Sequence, residues 1–193
     1  LTITVVQNAL WIRSSTAMET WDDDAGLYHL ATCIEDGLNG LASACFAGAP
    51  YPPLVPSIAG LHFWLTSHRS LQMALHSLWL WPILLCVCLY VGLRREGGRW
   101  AGLAGVTLGP VIVWALHIRG KFYTEVPLAA LIVASIVCWV MSDGFRRRGA
   151  SCLLGLFLAL GLLTKWSFAF FLAPPMAVAW AIGLSNPLRG TGV

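Results

Sequence analysis

Charged residues are scarce in this sequence: they make up 11% of its 193 residues, whereas hydrophobic residues make up 58%. A soluble globular domain carries roughly a quarter charged residues. This scarcity excludes a soluble domain and predicts an integral membrane protein. The formal net charge of +3 comes from basic residues in short clusters between apolar runs. Such clusters indicate membrane topology rather than a nucleic-acid surface, so we expect a bilayer and no nucleic acid as partner.

Several familiar catalytic and metal-binding motifs are also missing. The sequence has no glycine-rich nucleotide loop, no Gly-x-Ser-x-Gly and no Cys-x-x-Cys pair, and no two histidines have metal-ligand spacing on one helix. Four of the six cysteines lie in apolar segments, where a thiol behaves as a small buried hydrophobe. Only Cys33 and Cys45 share a polar loop, and a disulfide between them would require an oxidising compartment.

Five hydrophobic segments fill the second part of the chain and predict a transmembrane helical bundle over residues 71–184. They cover residues 71–93, 100–118, 124–141, 151–164 and 166–184. A spanning helix needs about 20 residues, whereas 151–164 would cover only roughly 20 Å. We therefore interpret that segment as a half-helix, a re-entrant segment or a helix whose end is buried in protein.

The ends of the chain predict a fragment of a longer protein. Residues 1–12 are apolar but too short to span the bilayer, and we interpret them as part of a first membrane helix. Residues 185–193 are interpreted as a truncated cytoplasmic end. The predicted fold is accordingly all-α, a polytopic bundle with one large extracytoplasmic loop.

That loop covers residues 13–70, which contain no membrane-length apolar run. Five aliphatic residues recur in it at three- and four-residue spacing: Leu27, Leu30, Ile34, Leu38 and Leu41. This spacing puts them on one face and predicts an amphipathic helix lying on the membrane surface. The prolines of residues 50–56 predict an irregular, rigid connector, followed by a short apolar helix at residues 58–65.

Two arginine clusters predict the orientation in the membrane. Arg94, Arg95 and Arg99 follow the first span, and residues 146–148 follow the third. By the positive-inside rule both loops face the cytoplasm. The loop 13–70, the turn 117–124 and the region of Lys165 then face the outside.

Three adjacent carboxylates, Asp22, Asp23 and Asp24, precede the first predicted helix. They cannot all be ionised cheaply near a low-dielectric surface, so one of them needs a cation, a metal or a proton. A carboxylate held there could act as a general base on a hydroxyl. The alternative is a solvated loop in which Asp22 or Asp24 caps a helix that starts near Ala25.

Glu125 lies at the outer mouth of a predicted membrane helix, on the same side as the aspartates. Thr124 suits the N-cap there, and Pro127 is tolerated in the first turn, so Glu125 is explained either by helix structure or by function. Together with Asp24 and His29, Glu125 could complete a divalent-cation site, although oxygen and imidazole groups of this kind also occur together by chance.

Three basic residues on the outer side run against the orientation rule: Arg119, Lys121 and Lys165. They could bind the phosphate of a lipid-linked donor, Arg by bidentate contact and Lys as a point charge. The alternative is that their side chains extend to lipid headgroups.

Four short segments, in this order, resemble the polytopic GT-C glycosyltransferases. They are Asp23-Asp24 with Tyr28, Tyr51-Pro52-Pro53-Leu54, Thr124-Glu125-Val126-Pro127-Leu128-Ala129 and Gly161-Leu162-Leu163-Thr164-Lys165. The likeness is to bacterial glycosyltransferase family 39, that of the dolichyl-phosphate-mannose-protein mannosyltransferases, and to its aminoarabinose-transferase-like relatives.

The resemblance implies inverting transfer of a sugar from a polyprenyl-phosphate donor to a lipid, glycan or protein acceptor outside the bacterial inner membrane. It assigns the general base to Asp23 or Asp24, since the spacing to Tyr28 accommodates either. Glu125 would orient the acceptor or hold a cation, and Lys165 with Arg119 or Lys121 would bind the donor phosphate. The further helices and any C-terminal soluble domain of the family are absent, which leaves open whether the fragment alone is active.

Two other functions remain as alternatives, a transporter and a non-catalytic membrane scaffold. A transporter would have charged residues in the middle of its spans. No charged residue occurs in Leu71 to Leu93, Trp100 to Leu116 or Val126 to Met141, which counts against transport.

Overall fold

The computed structural model describes residues 22–40, 45, 52–115 and 124–185, with the backbone alone at 22–25, 110, 112–115, 179 and 182–185. Within these ranges the chain forms seven α-helices and no β-strand. They are α1 Asp22–Leu38, α2 Leu54–Thr66, α3 Leu71–Ser77, α4 Leu80–Ala115, α5 Glu125–Ser142, α6 Arg148–Leu162 and α7 Phe168–Ser185. The all-α fold predicted from the sequence is confirmed.

Two stretches of the described chain are long and apolar enough to cross a membrane, Leu71–Gly109 and Glu125–Ser142. Helix α5, with 18 residues, rises about 27 Å, close to the thickness of the hydrocarbon layer. Helix α6 has 15 residues and rises only about 22 Å. The interpretation of this segment as a half-helix, a re-entrant segment or a helix whose end is buried in protein stays a prediction.

Helix α4 consists of two arms that fold back on each other at Gly98. The φ angle of Gly98 is 75°, a left-handed conformation that glycine adopts without a steric penalty. The arms pack closely, because a Cβ added at Gly102 would lie 3.0 Å from the Tyr90 carbonyl oxygen. The exposed arginines 94, 95 and 99 therefore lie at the closed end of a helical hairpin.

The segment predicted as one span from residue 71 is interrupted, because α3 ends at Ser77 and α4 begins at Leu80. In a continuous helix the N–H of residue 82 would donate to the Leu78 carbonyl, but Pro82 has no N–H. The Leu78 carbonyl accepts from the Trp81 N–H instead, at 3.1 Å. A single proline thus explains the break.

Helix α1 has the predicted apolar face, but this face packs on protein rather than on the membrane surface. Leu27 and Ala31 are buried with Val55, Ala59 and Phe63 of α2 in one core cluster, which also includes residues of α3. The ring of Tyr28 packs edge-on against Phe63, with centroids 5.7 Å apart. The periodicity correctly predicted a helix, and its partner is α2.

Helix α2 begins at Leu54, earlier than the predicted start at residue 58. Pro56 lies in its first turn and is fully buried. A proline in the first turn loses no hydrogen bond inside the helix, because the N–H groups there have no intrahelical acceptor. The connector predicted from the proline run therefore ends sooner than expected.

The close contact between α1 and α2 predicts that adding one methyl group at Gly60 lowers the stability of the fold. A Cβ at Gly60 would lie 2.6 Å from the Ala31 carbonyl oxygen, so Gly60→Ala must push the two helices apart. We expect a loss of about 1–3 kcal/mol of stability, the usual range for overpacking, measured by thermal unfolding in detergent. Gly155→Ala is the matched control, since its Cβ would meet nothing within 4 Å. Equal melting temperatures for the two variants would contradict the close packing.

Candidate active site

Glu125 is the first residue of α5, in a segment whose other side chains anchor the helix in the core. Val126, Pro127 and Leu128 are buried, and the Leu128 N–H donates to the Thr124 carbonyl at 2.9 Å. Thr124 is the N-cap residue as predicted, but its side chain makes no capping hydrogen bond. A carboxylate at this position complements the partial positive charge of a helix N-terminus.

Lys165 follows the end of α6, in a turn whose backbone is held on both sides. Its N–H donates to the Gly161 carbonyl at 3.2 Å, and its carbonyl accepts from the Phe168 N–H at 3.0 Å. Thr164, just before it, is fully buried and donates through Oγ1 to the Leu160 carbonyl at 2.8 Å. A cation here complements the partial negative charge of the helix C-terminus.

Glu125 and Lys165 form an ion pair across the neighbouring helix ends, with Lys165 Nζ 2.7 Å from Glu125 Oε1. The side chains are 41% exposed for Lys165 and 36% exposed for Glu125. Glu125 Oε2 is buried and has no hydrogen-bond partner within the described chain. Two residues predicted separately to belong to the site are therefore in contact, and the second carboxylate oxygen of Glu125 has no partner within the described chain.

The Pro-Pro-Leu segment reaches the same place through the backbone. The Leu54 N–H donates to the Leu163 carbonyl at 2.9 Å. This carbonyl belongs to the last turn of α6, where helix carbonyls lack intrahelical donors. Leu54 also packs against the core cluster that contains Val126, Leu128 and Phe168. Three of the four family-like segments thus meet at one end of the bundle.

Gly161 sets how closely α7 approaches this turn. A Cβ at Gly161 would lie 2.2 Å from Phe168 Cε2, so a larger residue would displace the Phe168 ring. Phe168 is 1% exposed and begins α7. The glycine of the Gly-Leu-Leu-Thr-Lys segment therefore has a packing role that positions Lys165.

Asp22, Asp23 and Asp24 form the first turn of α1. The alternative in which they precede a helix that starts near Ala25 is therefore wrong about where the helix begins. Their side chains lie outside the described part. Helix α1 packs on α2 and α3, and the N–H of Leu54, the first residue of α2, donates to the carbonyl of Leu163, two residues before Lys165. Both groups of residues are therefore joined to α2, while direct contact between them stays a prediction.

Two of the predicted phosphate-binding residues, Arg119 and Lys121, lie outside the described residues. Within the described chain no group of three His, Cys, Asp or Glu side chains is placed to hold a metal ion. His29 is exposed, and Glu125 Oε1 is paired with Lys165 Nζ. The cation site of Asp24, His29 and Glu125 stays untested, because the Asp24 side chain is outside the description.

Sequence reasoning missed a second charged cluster, in which Arg69 bridges two acidic residues of α1. Arg69 Nε lies 2.7 Å from Glu35 Oε2, and Arg69 also donates a hydrogen bond to Asp36. That bond raises the pKa of the Arg69 guanidinium, and Glu35 is buried with 5% exposure. The sequence signal for this cluster was the adjacent acidic pair Glu35 and Asp36 near the end of an amphipathic helix, followed by Arg69 in the polar segment before the next apolar run.

Cys33 and Cys45 are joined by a disulfide, one of the two outcomes that the sequence left open. The bond ties α1 to a residue 12 positions later in the loop. Together with the Arg69 contacts, it fixes the C-terminal end of α1.

The exposure of the Glu125–Lys165 pair predicts a small contribution to stability. Exposed ion pairs contribute about 0–1 kcal/mol, because water and salt screen them. We expect Glu125→Gln, which keeps the shape of the side chain, to change the free energy of unfolding by no more than about 1 kcal/mol. Thermal unfolding in detergent measures this change. A loss of several kcal/mol would show that the pair is a structural element first.

Residues 41–188 match the model of a protein family, the dolichyl-phosphate-mannose-protein mannosyltransferases. The matched range contains Leu54, Glu125 and Lys165, and it begins after the three aspartates. Searches of curated proteins and of solved structures give no match. Because the match covers well over half of the chain, the protein belongs to the dolichyl-phosphate-mannose-protein mannosyltransferase family and is an integral membrane glycosyltransferase of the GT-C type.

Proposed function

We propose that the protein transfers a sugar from a polyprenyl-phosphate donor to an acceptor outside the cytoplasm, with inversion at the anomeric carbon. The observation that carries the proposal is the Glu125–Lys165 pair, with Nζ and Oε1 2.7 Å apart. It lies where three family-like segments meet. It is also partly open to solvent, as a substrate site must be.

Lys165 is proposed to bind the donor phosphate. Its ammonium group has three N–H donors, and Glu125 Oε1 is its partner within the described chain. The leaving group is a lipid phosphate that already carries negative charge. A fixed cation therefore stabilises the transition state without proton transfer. Arg119 and Lys121 are proposed to contribute further positive charge from the neighbouring outer turn.

Asp23 or Asp24 is proposed as the general base. Three neighbouring carboxylates repel one another, which keeps at least one of them basic enough to accept a proton. In the proposed step this carboxylate takes the proton of the acceptor hydroxyl. The acceptor oxygen forms a bond to the anomeric carbon from the side opposite the phosphate. The bond between the anomeric carbon and the phosphate oxygen breaks, and polyprenyl phosphate leaves with the electron pair.

Glu125 is proposed to hold Lys165 in position and to orient the acceptor through Oε2. That oxygen is buried and unpartnered within the described residues, and a buried carboxylate oxygen is costly unless a donor satisfies it. A hydroxyl of the acceptor would supply such a donor. A divalent cation is the alternative occupant, since carboxylate oxygens are its preferred ligands.

Two independent observations support the placement of the site on the outer side of the membrane. The Cys33–Cys45 disulfide is of a kind that persists in oxidising compartments such as the periplasm. The exposed arginines of the α4 hairpin and of residues 146–148 are typical of cytoplasmic loops. Both agree with a site that faces away from the cytoplasm of a bacterial inner membrane.

The role of the aspartates predicts a loss of transfer without a loss of folding. In the full chain, Asp23→Asn or Asp24→Asn should lower the rate of sugar transfer from a polyprenyl-phosphate donor by about 10²–10⁴-fold, the usual contribution of a general base. Asp143→Asn is the matched control. Asp143 is exposed, and its left-handed φ of 51° suits asparagine equally well. If both aspartate variants keep full transfer, the assignment of the base is wrong.

The role of Lys165 predicts weaker donor use. Lys165→Ala should lower kcat/KM for the donor by about 10²-fold, as expected for the loss of one charge-stabilising group. Since this change also leaves Glu125 without its partner, the double variant Glu125→Gln with Lys165→Ala separates the two effects. It should be at least as defective as Lys165→Ala alone. Recovery of transfer in the double variant would contradict phosphate binding by Lys165, and Arg95→Ala at the hairpin end serves as the control.

A further inference from the structure

Six exposed arginines form two clusters in neighbouring loops. The hairpin cluster, at the tip of the α4 hairpin, consists of Arg94, Arg95 and Arg99. The turn cluster, residues 146–148, follows the turn between α5 and α6. The acidic residues of the same two loops are Glu96 and Asp143, so positive charge exceeds negative charge by four.

The two clusters lie at the same end of the bundle, because the first arm of α4 runs parallel to α5. Trp81, early in that arm, shares a core cluster with Val126 at the start of α5. Further along, a Cβ at Gly92 would lie 2.8 Å from Val137 Cγ2. The hairpin cluster begins two residues after Gly92, and α5 ends five residues after Val137. These intervals are about 3 Å and 7.5 Å along the helix axes, so the clusters lie at nearly the same level.

Contacts within the described chain leave this positive charge almost uncompensated. Arg95 Nε lies 3.8 Å from Glu96 Oε1, and both side chains are exposed, so water screens their attraction. Arg94 donates to the Tyr90 hydroxyl at 3.2 Å, and its guanidinium carbon lies 5.6 Å from the centroid of the Tyr90 ring. This contact holds the side chain but does not neutralise it. The turn cluster makes no ion pair with a described residue.

The turn cluster also lies beside the positive end of a helix. Helix α6 begins at Arg148 and has no acidic residue in its first turn, and the N-cap residue Arg147 makes no side-chain capping hydrogen bond. Cations are unfavourable next to the partial positive charge of a helix N-terminus, whereas an anion is favourable there. An anion bound by these arginines would therefore also be stabilised by the free N–H groups of α6.

Each cluster has an exposed aromatic ring next to it. Trp100 follows Arg99 and is 81% exposed, and Phe145 precedes Arg146 and is 64% exposed. A free phosphate ion gains nothing from apolar surface, whereas the phosphate of a phospholipid lies next to its acyl chains. Aromatic rings are enriched at the depth of the headgroups. The combination of arginine and exposed ring therefore favours a lipid phosphate over a soluble one.

We propose that the two clusters together bind one phospholipid that carries two phosphate groups, with one phosphate at the hairpin cluster and the other at the turn cluster. A guanidinium group matches phosphate through two parallel N–H···O bonds, which lysine cannot make. Basic pockets between membrane helices on the cytoplasmic side bind headgroups of this kind. The bound lipid joins the α4 hairpin to the start of α6. The assignment does not depend on the proposed sugar transfer, whose site lies at the other end of α5.

Native mass spectrometry of the full chain in detergent tests the site. Cardiolipin, which has two phosphates, competes with phosphatidylglycerol, which has one, at equal phosphate concentration. We expect at least about tenfold more bound cardiolipin than phosphatidylglycerol, because binding of the first phosphate raises the effective concentration of the second.

Two lysine variants distinguish a specific site from the general attraction of a basic surface. One variant carries Arg94→Lys, Arg95→Lys and Arg99→Lys, and the other carries lysine at positions 146, 147 and 148. Both keep the charge that sets membrane orientation. Each should reduce the preference for cardiolipin to about threefold or less, since the bidentate phosphate contacts of one cluster are lost. Glu96→Gln, at the hairpin tip, is the matched control and should keep the full preference.

Four results would overturn the proposal. Equal binding of the two lipids would show that only single phosphates are attracted. Full preference for cardiolipin in both lysine variants would show that the arginines do not form the site, and loss in only one variant would contradict a site shared by the two clusters. Displacement of cardiolipin by soluble pyrophosphate at equal phosphate concentration would identify the ligand as a soluble anion. Loss of the preference in both lysine variants, without displacement by pyrophosphate, supports the lipid site.

Discussion

The contacts at the end of α6 hold together segments that are far apart in the sequence. A helix leaves its last carbonyls without intrahelical donors, and here the Leu54 N–H satisfies the Leu163 carbonyl from outside the helix. The antiparallel arrangement of α5 and α6 brings the positive end of one helix next to the negative end of the other. Glu125 and Lys165 carry the charges that complement those ends, and they pair at 2.7 Å. The Leu54–Leu163 hydrogen bond and the Glu125–Lys165 ion pair thus both lie at the end of α6.

The layers formed by α1 and α2 also depend on the contacts at the end of α6. Helix α2 starts at Leu54, whose N–H donates to the Leu163 carbonyl. Its first turns pack on the membrane bundle, and its other face packs against α1. The Arg69 contacts with Glu35 and Asp36 and the Cys33–Cys45 disulfide then fix the far end of α1.

Much of the architecture could be predicted from the sequence, because its physical signals are local. Low charge, apolar run length and three- and four-residue periodicity led to an all-α membrane protein with a helix at Leu27 to Leu38. The break before Leu80 and the early start of α2 were missed. Both depend on how a proline acts at a particular helix position, in one case Pro82 and in the other Pro56.

The candidate site was predictable as a set of residues but not as a set of contacts. Glu125 and Lys165 were identified singly, since each is an ionisable residue at the mouth of an apolar helix. Their pairing is a long-range contact between residues 40 positions apart, and periodicity carries no information about it. The same holds for Arg69 with Glu35, and for the packing of Phe168 on Gly161.

Membership of the mannosyltransferase family and the site at Glu125 and Lys165 together support a single central claim, that this protein moves a sugar from a lipid phosphate to an acceptor. The most direct measurement follows labelled sugar from a polyprenyl-phosphate donor in vesicles containing the full chain, together with the movement of the intact donor across the bilayer. We expect labelled acceptor and free polyprenyl phosphate to form in equal amounts. Movement of intact donor without any labelled acceptor would contradict it.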